Sequence, residues 1–278
     1  MLLAFDVGNS NIVIGVFDNL HMKHSFRIET NGNKSADEYG MIVNQFFSYE
    51  KINMSDIDDI IISTVVPSVL YSLQHFSRKY FGKEAIVVEP GIKTGIIIKY
   101  DNPKQVGSDR IVNAVAAYHK YGGPVIIIDF GTATTFCAVS KNAEYLGGAI
   151  APGIKIASEA LFEKTAKLPK IELEDPGKAI CRNTINSMQA GVVYGHMGMI
   201  KFIVEKMKKE IINCASIGCC DDEIIKVIGT GGMATMIDKG TQVFDAVEPH
   251  LTLDLLADVA QRLEGLALIY EKNNDNSR

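Results

Sequence analysis

A basic surplus is missing from this 278-residue chain: 28 Lys and Arg stand against 33 Asp and Glu, for a formal charge of −5 and a pI near 5.7. Nucleic-acid binding takes much of its affinity from counterions released by clustered cations, so no nucleic-acid partner is expected. Long apolar runs are missing too. A membrane-spanning helix needs about 20 apolar residues, and the best runs here are Ile60 to Val66 and Val125 to Ile128; the chain reads as soluble, with no membrane partner. MLLAF meets Asp6 before the apolar stretch of a signal peptide could form, so the N-terminus reads as a strand. The cysteines are five, Cys137, Cys181, Cys214, Cys219 and Cys220, an odd number without paired CxxC spacing. That pattern fits reduced thiols in a cytoplasmic protein and excludes a structural zinc site.

Several motifs are also lacking. No GxxxxGK(S/T) loop exists, Gly32-Asn33-Lys34-Ser35 failing because Gly and Lys are not adjacent, and HExxH and GxSxG do not occur. P-loop, zinc-protease and common hydrolase chemistry are thereby set aside. Gly229, Gly231 and Ala234 imitate a dinucleotide fingerprint but lie too near the C-terminus to open a doubly wound half.

What is present is a repeat. LLAFDVGNSNIVIGVFDN at 2–19 and VIIIDFGTATTFCAVSKN at 125–142 match in pattern, Asp6 and Asp129 standing 123 residues apart. In each, an apolar run reaches an Asp, a Gly follows two positions later, small polar residues make a turn, and a second apolar run begins. This predicts strand, turn, strand. The likeness continues in IIISTVVP at 60–67 and IIKVIGTGG at 224–232, predicted strands ending in tight turns, each leading towards a VEP segment at 88–90 or 247–249. Apolar spacing predicts helices over Ala36 to Tyr49, Ser187 to Lys209 and Pro249 to Tyr270. Two α/β domains follow, 1–120 and 121–270, with YHKYGGP at 118–124 as the boundary, a cleft between them and a frayed tail at 271–278. KTAKLPKIELEDP at 164–176 reads as a charged surface excursion.

A strand ending in DxG followed by Asn, Ser or Thr can aim backbone N–H groups and hydroxyls at one point, and Gly opens dihedrals closed to other residues. Such a point suits a phosphate. The strand-end carboxylates Asp6 and Asp129 would meet that negative charge through a cation. One such turn is often only a side-chain-stabilised turn; two in register would grip ATP from both sides. The glycine-rich turns at 147–153 (GGAIAPG) and 229–232 (GTGG) are further candidates to border a nucleotide. Between the repeats, YDNPKQVGSDR at 100–110 joins an Ile-rich strand to a helix predicted to start near Ser108. Asp109 in its first turn would be held ionised by the helix dipole and Arg110. Acidic residues there commonly only stabilise the helix, so the pattern leaves both readings open.

The ordered set DVGNSN at 6–11, YDNPKQVGSDR at 100–110, DFGTATT at 129–135, GGAIAPG at 147–153 and RNTINSMQAG at 182–191 closely resembles the type III pantothenate kinases, over nearly the whole chain. That family lies in the sugar kinase, heat-shock chaperone and actin superfamily. The resemblance implies an α/β fold of duplicated actin-like (ribonuclease H-like) domains, each a mixed sheet flanked by helices, with the active site in the interdomain cleft. It implies ATP-dependent phosphorylation of pantothenate, the first step of coenzyme A biosynthesis, with Asp109 as catalytic base. ATP-binding residues would be Asp6, Val7, Gly8, Asn9, Ser10, Asn11, Ile12 and Val13, with Thr132 from the second turn. Tyr100, Gly107, Ser108, Asp109, Arg110 and Thr184 would contact pantothenate. Asp129 matches the position of a monovalent cation, K⁺ or NH₄⁺, while for Asp6 the charge argument above points to Mg²⁺ bound through water. In the family the Thr184 position serves the site across a homodimer interface. Two departures stand out: Ser10 replaces the more usual Thr, keeping the hydroxyl, and Ser108 replaces the more usual Ala.

Two rival functions share parts of this pattern. A sugar kinase, acetate kinase or exopolyphosphatase would keep both phosphate turns without YxNPxxxGxDR, and a non-catalytic ATP-binding regulator would keep the turns without needing Asp109. The six histidines show no mutual ligand spacing and read as surface or helix-packing residues. Met188, Met197 and Met199 read as apolar packing.

Overall fold

A computed structural model describes every residue except Leu20, 89–94, 214–223, Leu255, 258–259 and 261–278. The first predicted hairpin forms β1 (Leu2–Val7) and β2 (Asn11–Asp18), antiparallel with Asp6 opposite Val13. β2 pairs onward with β3 (His21–Glu29). Next comes α1 (Ala36–Glu50), opened by a capping box in which the Glu38 N–H donates to Ser35 Oγ at 3.3 Å and the Ser35 N–H to Glu38 Oε2 at 2.7 Å. β4 (Asp59–Thr64) runs parallel to β1, α2 covers Pro67–Phe76, and β5 (Ile86–Val88) runs parallel to β4. The predicted strand at 60–67 thus stops at Thr64. Pro67 opens α2 instead, a position where its missing N–H has no helical partner to lose.

A short β6 (Ile97–Ile98) precedes α3 (Ser108–Tyr121), which starts where the sequence predicts. The second hairpin is β7 (Val125–Phe130) and β8 (Ala133–Val139), Asp129 lying opposite Thr135. β9 (Glu144–Pro152), α4 (Ile154–Glu163), α5 (Thr184–Asn213), β10 (Lys226–Gly231), α6 (Ala234–Thr241) and β11 (Ala246–Val247) follow. The two sheets run β3-β2-β1-β4-β5 and β11-β10-β7-β8-β9-β6. Read from β9, the second repeats the first strand for strand with the same parallel and antiparallel pairings, and adds β6 at one edge. The repeat seen in the sequence is therefore a repeat of topology.

One segment differs from expectation. Residues 147–152, read as part of a glycine-rich turn, form the second half of β9. Sheet geometry is the reason: a Cβ on Gly148 would strike the Phe136 carbonyl of the neighbouring strand. Gly153 then caps α4, where a side chain would strike the Thr132 carbonyl.

The chain divides into two compact units, one of the described residues of Met1–Thr94, Lys104–Ala116 and Leu251–Arg278, the other of Gly95–Pro103 and Ala117–His250. In the first, Leu3, Phe5, Val7, Ile12 and Ile14 of the sheet bury against Tyr39, Val43 and Phe47 of α1 and Leu73 and Phe76 of α2. In the second, Ile126, Ile128, Phe136 and Val227 bury against Val193, Ile200 and Val204 of α5 and Ile237 of α6. Each such fully buried side chain contributes about 1.5–3 kcal/mol. These cores fix where β1, β4, β7 and β10 end. Residues 251–254 and 256–257 are helical and join the first unit, where Thr252 Oγ1 donates to Asn113 Oδ1 at 2.8 Å. The rest of the terminal helix expected to Tyr270, and the tail at 271–278, lie outside the described residues. Among the described residues no helix is long and apolar enough to cross a membrane.

Candidate active site

In the first unit the candidate residues gather at the C-terminal ends of β1 and β4. The turn after β1 is closed by the Gly8 N–H donating to the Asn11 carbonyl at 3.0 Å. Thr30 holds it from β3's end, its Oγ1 donating to the Gly8 carbonyl at 2.7 Å and its N–H to the Ser10 carbonyl at 3.0 Å. Asn9, Ser10 and Asn11 are exposed and Asp6 is half-buried, while Val7 and Ile12 are buried in the sheet. Val7 and Ile12 therefore reach the turn through their backbone alone. Thr30 is a turn residue that the motif did not flag, and its only signal lay in position, 22 residues downstream of Gly8.

Ser108 ties α3 to the same edge. Its hydroxyl is buried and donates to the Thr64 carbonyl at the end of β4, at 2.9 Å. The substitution of Ser for the more usual Ala thus has a structural use, because the hydroxyl is engaged by backbone. Asp109 follows in the first turn of α3, half-buried, with Oδ1 accepting the Arg110 N–H at 2.8 Å. Gly107 leaves room for this carboxylate, since a Cβ there would sit 2.5 Å from Asp109 Oδ1. Arg110 is buried, with 6% of its surface exposed. Asp6, the 8–11 turn, Ser108, Asp109 and Arg110 all belong to this unit.

The second unit carries Tyr100, Asp129, Thr132 and Thr184. Asp129 ends β7 beside Gly231 of β10, which adopts φ +87; a Cβ there would lie 2.8 Å from both Asp129 Oδ1 and the Phe130 carbonyl. Only glycine lets the two strands converge on that carboxylate. Among the described residues no group of three or more His, Cys, Asp and Glu is arranged to hold a metal. A divalent cation at Asp6 would accordingly keep mainly water and phosphate ligands, as Mg²⁺ commonly does.

Tyr100 lies by the β6–β9 edge, its ring 6.4 Å from that of Tyr145 and against Gly147. Thr184 is exposed in the first turn of α5, whose N-cap is Asn183: Oδ1 accepts the Asn186 N–H at 2.8 Å. RNTINSMQAG is therefore a helix-capping sequence as well as a candidate substrate motif. A groove of about 620 Å³ runs between α4 and α5 and is lined by Thr184, Ala157, Leu161, Met188 and His196. The 164–176 excursion is irregular and is held to α5 by Gln189 donating to the Glu172 carbonyl and Tyr194 to Asp175. Hydrogen bonding to Tyr194 and to the Gly177 N–H holds the Asp175 carboxyl below its usual range. His196 is the histidine that sequence spacing could not distinguish from its peers. It is buried and bonded to Thr134, and burial lowers its pKa.

Duplicated sheets, each with a DxG turn between its first two strands in sequence, define an actin-like α/β fold. Three solved structures share it: a Campylobacter jejuni protein described as a Baf family transcriptional activator (18% identity, 95% of this chain and 99% of that one, TM-score 0.56); the activator of 2-hydroxyisocaproyl-CoA dehydratase from Clostridium difficile with bound ADPNP (12%, 97% and 97%, 0.52); and component A of the Acidaminococcus fermentans (R)-2-hydroxyglutaryl-CoA dehydratase (10%, 93% and 96%, 0.51). At these identities the likeness is one of fold. Residues 2–206 match the type III pantothenate kinases, and the chain belongs to that family. It is thus an ATP-dependent phosphotransferase of coenzyme A biosynthesis.

Proposed function

We propose that the chain transfers the γ-phosphoryl group of ATP to the primary hydroxyl of pantothenate, giving 4'-phosphopantothenate and ADP, with Asp109 as general base. The hydroxyl proton passes to an Asp109 carboxylate oxygen as the new P–O bond forms and the bond from the γ-phosphorus to the bridging oxygen breaks. Phosphoryl transfer needs mainly positioning and charge neutralisation. In this reading the polar side chains and backbone of 9–11 contact the phosphates, and Thr132 is a further nucleotide contact. Mg²⁺, when bound through water at Asp6, supplies charge neutralisation, and a monovalent cation belongs at Asp129 beside Gly231. Tyr100, Gly107 and Thr184 are the further pantothenate contacts. Ser108 contributes through its backbone, since its hydroxyl is engaged by Thr64. Arg110 offers a planar fork of donors to the pantothenate carboxylate or to phosphate.

The observation that carries the reading is the Asp109 carboxylate, half-buried in the first turn of α3 with room made for it by Gly107, in a chain of this family. A cytoplasmic homodimer, with Thr184 serving the partner's site, completes the proposal. ADP release tests it, with pantothenate against a panel of hydroxyl and carboxylate acceptors, with and without K⁺. Turnover with pantothenate alone, strong K⁺ dependence, and a loss of about a hundredfold or more in Asp109→Asn are expected. Full activity in that variant would remove the base; turnover only with sugars or acetate would remove the acceptor.

A further inference from the structure

α5 is 30 residues long and carries Thr184 at its start. Val193, Met197, Ile200 and Val204 bury it against the second sheet. Such contacts are non-directional, and an apolar seam tolerates sliding better than a hydrogen bond does. Three glycines, Gly191, Gly195 and Gly198, face open space, while Met197 between them seats against Gly240 of α6, where a Cβ would strike its Cε. Into the seam His196 brings a polar contact. Its Nε2 lies 3.0 Å from Thr134 Oγ1, with the histidine 7% exposed and the threonine fully buried. Thr134 sits in β8 between Phe130 of β7 and Ala151 of β9, two residues after Thr132.

A buried polar pair on a helix face that could be wholly apolar adds little net stability, but it specifies one register, because moving either partner leaves a polar group unpaired. We infer that His196 is a positioning residue, whose bond to Thr134 fixes α5 along the sheet and thereby sets where Thr184 is presented for the acceptor. His196 lies 12 positions from Thr184, about 18 Å along the same helix axis, so it acts on Thr184 through the helix. The inference rests on the proposed role of Thr184 and adds the device that holds it.

Variants of the full chain test this. His196→Phe and Thr134→Val remove the bond while keeping volume; His196→Gln returns an amide nitrogen near the position of Nε2. The first two should raise KM for pantothenate about fivefold, the equivalent of one net hydrogen bond, with kcat and the KM for ATP within about twofold. They should also speed hydrogen exchange in the amides of 184–196. His196→Gln should restore both readouts, and the double variant should be no worse than either single, as expected of two partners in one bond. Thr134→Val, which leaves the imidazole in place, keeps the test available if His196→Phe does not fold. Unchanged KM and exchange in the bond-breaking variants, an equal rise in both KM values, or a His196→Gln that behaves like His196→Phe would each overturn the inference. Exchange is read without substrate, so failure to phosphorylate pantothenate would sink the proposed function and leave this result readable.

Discussion

Gly231 and Gly232 are adjacent in sequence and should respond very differently to the same substitution. Gly231 holds φ +87, where a Cβ costs about 1–2 kcal/mol. Alanine there would also place that Cβ 2.8 Å from Asp129 Oδ1 and from the Phe130 carbonyl. The carboxylate can turn aside; the carbonyl ends β7 and is held by the sheet, so overpacking adds about 1–2 kcal/mol. Gly231→Ala should therefore lose about 2–4 kcal/mol, lowering Tm by roughly 5–12 °C for a chain of this size. If a monovalent cation binds at Asp129, as proposed, more K⁺ should then be needed for half-maximal activity. Gly232 has nothing within 4 Å of a would-be Cβ, so Gly232→Ala should change stability by no more than about 0.5 kcal/mol in either direction. Thermal melts followed by circular dichroism, with a K⁺ titration of ADP release, read both. The reasoning fails if Gly231→Ala melts with the wild type, or if Gly232→Ala falls as far.

Ser108→Ala removes the buried bond to the Thr64 carbonyl and should cost about 1 kcal/mol in a denaturant melt, with pantothenate turnover largely kept. Burial holds the pKa of His196 below its ordinary value, so the unfolded state takes up the proton first; stability should fall as pH drops below about 6.5, and His196→Gln should flatten that part of the curve in melts at stepped pH. Tyr121 donates to Glu248, which also pairs with Lys120 at 2.6 Å. Tyr121→Phe and Glu248→Gln should each cost about 1–2 kcal/mol, with the double variant less than the sum in a denaturant cycle. If Thr184 serves its partner's site, Asp109→Asn and Thr184→Ala chains should each be weak alone, yet recover about a quarter of wild-type activity when mixed and allowed to exchange, since half the dimers then hold one intact site.

The DxG hairpins were legible because a strand pattern of period two, an Asp and a Gly all point to the same turn. Reading them as a pair also gave the duplicated topology, since matching order in sequence became matching strand order. GGAIAPG misled because glycine has two uses: it can free a loop or let strands close up, and at Gly148 it does the second. The start of α3 was visible, but the partner of Ser108 was not, as Thr64 lies 44 residues away on another element. His196 and Thr134 are 62 residues apart and Tyr121 and Glu248 are 127 apart. Single-sequence patterns carry periodicity along one element; they carry nothing about which polar atoms meet once elements pack.

The way the two sheets finish bears on how the chain avoids sticking to its own copies. Among the described residues β5, β6 and β11 are three, two and two residues long, so three of the four outer borders described offer an incoming strand little backbone to zip onto. The fourth, nine-residue β3, alternates along its length and turns His21, Lys23, Ser25, Arg27 and Glu29 to solvent. A stray strand docking there would have to strip water from three charges. Replacing Lys23 and Arg27 with valine would turn a guarded rim into an adhesive one.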